Sequence, residues 1–128
     1  ALSLSPSGAP ELLTPLEIVH RRRSPSLVVL SGCSSAQGEA LPGAGLMGLT
    51  RAWLGAGADT VVATRWPTPD DTGQMLLSFY RRLLSADGGP DEGRPASALQ
   101  QAQREMVQSG SWRAAPRYWA AFFVVGVE

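Results

Sequence analysis

Two short apolar runs, "LVVLS" (Leu27 to Ser31) and "TVVATRW" (Thr60 to Trp66), stand on either side of one amphipathic stretch, "GLMGLTRAWLGAGA". This arrangement constrains the chain more than any other feature. Short β-branched runs bounded by turn residues are the pattern of strands covered on both faces. The stretch between them carries Leu46, Leu49, Trp53 and Leu54 on one side of a helix, with Gly55 or Gly57 as its stop. Strand, helix, strand within about 40 residues predicts a βαβ unit, hence parallel strands and a right-handed crossover.

The flanking segments extend the same plan. "LLTPLEIVHRRR" predicts a helix: Thr14 caps it, Pro15 takes the first position, and Glu17 completes a capping box. Arg21, Arg22 and Arg23 fall in its last turn, where cations suit the exposed carbonyls. Before it, "LSLS" alternates like a short edge strand and breaks at Pro6 and Gly8. After "PTPDD", the residues Leu76, Phe79, Tyr80, Leu83 and Leu84 follow a helical apolar period, with Asp70 or Asp71 placed to cap that helix. "SADGGPDEGRP" reads as a loop. A helix from Pro95 to Gln108 follows, with Leu99, Ala102 and Met106 inward, and "WAAFFVVGV" closes the chain as an apolar strand. The 128 residues read as one α/β domain without repeats.

Composition narrows the function. Acidic and basic residues balance at 11 each, which argues against nucleic acid or an anionic membrane as main partner. No run is long and apolar enough for a membrane helix, and no export signal is visible. The single cysteine makes no internal disulfide, so a cytoplasmic setting is the default. Every basic residue is Arg, a bias that leans towards a bacterial source.

Several motifs fail on context. "GAGLMG", Gly43 to Gly48, matches G-x-G-x-x-G, but a dinucleotide fingerprint sits directly between strand and helix, and this one does not. One His and one Cys without clustered carboxylates build no zinc site, so no metal is expected. Ser34 and Ser35 lie outside any G-x-S-x-G elbow.

Cys33 is different. A lone cysteine commonly serves as a small buried hydrophobe. This one stands just past the carboxyl end of a parallel strand, where open α/β sheets bind ligands. Gly32 leaves room there for a substrate backbone. A thiol so placed becomes a strong nucleophile once a base takes its proton. His20 is the only histidine and precedes the strand whose far end carries Cys33; a five-residue strand separates the two by roughly 16 Å. It reads as a surface or helix-capping residue, and the base must come from elsewhere.

"SLVVLSGCSSAQGEALPGAGLMGLTRAWLGAGADTVVATRWPTPDDTGQMLLSFYRRLL", with "ALQQAQ" and "YWAAFFVVG" after it, resembles the CHAT domain. These are caspase-like cysteine peptidases related to separase and often joined to TPR repeats. The resemblance implies a three-layer sandwich, a mostly parallel sheet with helices on both faces and an antiparallel last strand. It implies that Cys33 is the nucleophile, its backbone N–H serving the oxyanion hole. It also implies that Asp70, with Asp71, receives a basic residue before the cut bond, although helix capping accounts for either aspartate as well. The family's catalytic His stands in an "HG" motif on an earlier strand, and that motif is missing here.

The expectation is therefore the later half of a cysteine endopeptidase domain spanning 1–128, acting on a protein substrate. Its His would come from an N-terminal companion segment or chain, and no cofactor is needed. The alternative is a non-catalytic interaction module on the same scaffold.

Overall fold

The computed structural model describes residues 2–4, 10–12, 14–21, 25–31, 48–85 and 93–127. Strand β1 (Leu2–Leu4) pairs antiparallel with β2 (Pro10–Leu12), Leu2 opposite Leu12, in a two-stranded sheet of their own. The β2 partner is absent from the sequence reading, because Pro10 and a three-residue length hide it.

Helix α1 (Pro15–His20) starts as its sequence dictates. Thr14 Oγ1 accepts from Glu17 N at 3.3 Å, and Thr14 N donates to Glu17 Oε2 at 2.8 Å. These two bonds satisfy donors that the first helical turn leaves open. The Thr14 backbone N–H, then its hydroxyl, hold the Glu17 carboxyl below its ordinary pKa. Of the expected basic run, Arg21 is the C-cap; Arg22 and Arg23 lie outside the described residues.

Strand β3 (Leu27–Val29), helix α2 (Gly48–Gly55) and strand β4 (Thr60–Thr64) form the βαβ unit, and β3 and β4 run parallel in the register Leu27↔Thr60 to Val29↔Val62. The helix ends in a Schellman turn. Gly57 N donates to Leu54 O and Ala58 N to Trp53 O, with Gly57 at φ 100°. That left-handed conformation selects glycine. Strand β5 (Phe122–Gly126) pairs antiparallel along the other side of β4, Thr64 opposite Phe122. The order is β3-β4-β5. The sheet is thus mixed, one parallel and one antiparallel pair among the described residues; the antiparallel last strand is the one expected, and the two helices between β4 and β5 carry the chain away and back, so that Phe122 enters opposite Thr64, at the end where β4 leaves the sheet.

Alternate residues of each strand face opposite layers. Val28, Leu30, Val61, Ala63 and Phe123 pack with Trp53 and Leu54 of α2. On the opposite face, Leu27, Val29, Val62, Phe122 and Val124 pack with helices α3 (Gly73–Leu84) and α4 (Pro95–Gln108). All five residues of β4 are buried, so it is the centre of the described sheet.

On α3 the buried ridge is Met75 and Phe79, with Leu76 and Leu83 beside it. Tyr80 and Leu84, expected inward, are 40% and 77% exposed. They sit one helical step beyond the 75–79–83 ridge, and α4 packs against that ridge. The α4 reading holds: Leu99, Ala102 and Met106 are buried, joined by Ala98. Gln103 ties this helix to β5, its Nε2 donating to Trp119 O at 3.1 Å and Phe122 O at 3.0 Å.

Candidate functional site

The parallel register brings the carboxyl ends of β3 and β4 side by side. Leu30 N donates to Val62 O at 2.8 Å, which carries the pairing one residue past β3. Ser31 follows, exposed. Gly32 and Cys33 come next in the chain and lie outside the described residues, as do Ser34, Ser35 and Gly43 to Met47. Gly48 opens α2.

Beyond β4 the chain leaves the sheet at Arg65 and Trp66, both exposed. Arg65 N donates to Ala121 O at 3.0 Å, and its guanidinium lies 4.9 Å from the centre of the Phe123 ring. Pro67 and Pro69 then stiffen the path to a 3-10 turn at Asp70–Thr72. Both aspartates therefore follow the carboxyl end of the strand next to β3.

The capping role expected for Asp71 is corrected. The N-cap of α3 is Thr72, whose own side chain makes no cap bond. Thr72 has helical dihedrals (φ −71°, ψ −5°), whereas a side-chain cap needs an extended residue there. The preceding turn continues directly into the helix, and Thr72 N is already satisfied by Pro69 O at 3.2 Å. Asp71 has a charged partner instead. Arg113 Nε donates to Asp71 Oδ2 at 2.8 Å, and the Arg113 guanidinium also lies 4.4 Å from the Trp112 ring centre. The side chain of Asp70 lies outside what is described.

His20 is exposed and turned to its own helix, Nδ1 donating to Leu16 O at 2.8 Å. Among the described residues no cluster of His, Cys, Asp and Glu could hold a metal ion, and no helix is long and apolar enough to cross a membrane.

A further polar group escaped the sequence reading. Ser78 Oγ donates to Glu105 Oε2 and Arg82 Nη2 to Glu105 Oε1, joining α3 to α4. The Ser78 hydroxyl, then the Arg82 guanidinium, hold the Glu105 carboxyl below its ordinary pKa. Ser78 and Arg82 stand four residues apart on one helix face, the only hint in the sequence; pairing between helices leaves no local pattern.

No solved structure matches. Two curated relatives do: tetratricopeptide repeat protein 28 of Mus musculus, 37% identical over 118 residues, and its Homo sapiens counterpart, 34% identical over 118 residues. Each alignment covers 91% of this chain and 4% of the relative, so the chain spans a small part of those proteins' length. The bacterial leaning of the composition has no counterpart in these two mammalian relatives. The model of the CHAT domain matches residues 1–127, and on that match the chain belongs to the CHAT domain family.

Proposed function

We propose that the chain is the nucleophile-bearing part of a caspase-like cysteine endopeptidase, associated with TPR repeats in a cytoplasmic protein. Cys33 attacks the scissile carbonyl. A histidine from an N-terminal companion segment takes the thiol proton and later gives it to the leaving amine. Asp70 selects a basic residue before the bond, with Asp71 beside it, and no cofactor takes part.

One observation carries this reading: β3 and β4 are parallel neighbours, so the residues leading to Cys33 and those leading to Asp70 leave the sheet at the same end. Ligands bind at that end of open α/β sheets. The edge of β3 away from β4 is unpaired among the described residues, which gives a companion strand a place to join.

A second reading, a non-catalytic interaction module, draws on His20. It is the chain's only histidine and bonds to its own helix. The test is cleavage of a peptide with a single Arg by the full-length protein, with and without Cys33→Ser. Loss of cleavage in the variant supports the peptidase; cleavage by neither, in a full-length protein without an "HG" motif, selects the interaction module.

A further inference from the structure

Between α3, from Gln74 to Arg81, and the C-terminal half of α4 lies a groove of about 250 Å³. The buried Ala102 and Met106 give it an apolar base, and Gln74, Arg81, Glu105 and Arg113 supply its polar lining. Most acceptor capacity there is already engaged. Both Glu105 oxygens are occupied, by Ser78 and Arg82. The donors are more open. Arg113 meets Asp71 through Nε, which leaves its two terminal amino groups. Arg81 forms no ion pair among the described residues.

The surrounding charge points the same way. Residues 71–85 and 93–127 contain Arg81, Arg82, Arg94, Arg104, Arg113 and Arg117 against two acids, Asp71 and Glu105, in a chain of zero net charge. The groove is smaller than the roughly 300–1,000 Å³ of small-molecule pockets. It is open to a side chain from a passing peptide.

We propose that this groove docks an acidic peptide segment, seating one Asp or Glu carboxylate between Arg81 and Arg113. The apolar stem of that side chain lies on Met106, and its charge meets guanidinium donors in forked geometry. This docking is independent of whether Cys33 is a nucleophile.

A labelled hexaglutamate peptide, titrated by fluorescence anisotropy against the 128-residue chain, tests it. Hexaglutamate should bind at least about tenfold tighter than hexaglutamine at low salt, a difference of about 1.4 kcal/mol. Arg81→Gln should weaken hexaglutamate about fivefold, Arg81→Lys less, and Arg104→Gln, on α4 outside the groove, not at all. Three results overturn the proposal: equal binding of the two peptides, equal loss in Arg81→Gln and Arg104→Gln, or full displacement by inorganic phosphate at the peptide's own concentration. The first denies charge recognition, the second leaves only diffuse attraction, and the third reduces the groove to a simple anion site.

Discussion

Arg113 and Asp71, 42 residues apart, meet at 2.8 Å, so the turn after β4 is fastened to the segment after α4 by one charge-assisted bond. Both side chains remain partly exposed, at 33% and 41%. Partly solvated pairs contribute little, and a double-mutant cycle on the two residues should return a coupling below about 1 kcal/mol.

The same contact separates the roles of the two aspartates. A substrate guanidinium at Asp71 competes with Arg113, which is already in place. Under the peptidase reading, Asp70→Asn should therefore lower kcat/KM for an Arg-containing peptide about tenfold or more, since charge-assisted bonds contribute roughly 1.5–3 kcal/mol. Asp71→Asn should change it by about twofold or less. A larger effect at Asp71 would reverse the assignment.

Glu105 sets a dependence on acidity. Its carboxyl is held below the ordinary value in the folded chain by Ser78 and then Arg82, so the folded state favours the ionised form. The resulting stabilisation is fully present above the unfolded carboxylate pKa and is lost as pH falls through the lower, folded value. Urea midpoints of the native chain and Glu105→Gln should differ modestly at pH 6 and converge towards pH 3. The difference is small because both Arg82 and Glu105 are about half exposed. A gap that persists at pH 3 would show that the effect is not ionic.

Gly126 lies where β5 ends against the start of β4, with φ 149°. A Cβ there would collide with the Asp59 carbonyl oxygen and come within 2.6 Å of Thr60 Cα, both backbone atoms that cannot swing aside. Gly126→Ala should destabilise the chain by about 3 kcal/mol, from overpacking and backbone strain together. Chemical denaturation reads this directly, and a loss below 1 kcal/mol would mean that the strand end detaches at little cost.

The outer edge of β3 bears on assembly. Leu27 to Val29 alternate between two apolar layers, yet β4 is the only strand that pairs with β3 among the described residues. An unpaired apolar edge recruits another strand. Sedimentation of the chain alone should reveal self-association, and co-expression with an N-terminal companion segment should yield a stable complex. A well-folded monomer with a sharp thermal transition would refute this.

Elements whose signal is local were legible in the sequence. Thr14 and Glu17 announce α1 because both capping partners lie within one turn, and Gly57 announces the end of α2 because only one backbone conformation fits there. β4 was legible because its burial on both faces leaves a continuous apolar run. Legibility failed where long-range contacts decide. Tyr80 and Leu84 satisfy the helical period as well as Leu76 and Leu83, and only the position of α4 separates them. Asp71 looked like a cap because its charge partner, Arg113, arrives from the far side of α4. Cys33, Gly32 and the Asp70 side chain, the centre of the proposed site, lie outside the described residues and rest on the sequence alone.

Gln103 reaches across to Trp119 and Phe122 and grips carbonyl oxygens, not side chains. Carbonyls are the same whatever residue carries them, so this clasp does not read the sequence it holds. The approach to β5 is thereby free to vary in its side chains across evolution without altering where the strand begins. A library randomised at exposed positions of that approach should keep its backbone path, whereas exchanging Gln103 for a residue without an amide releases every member at once.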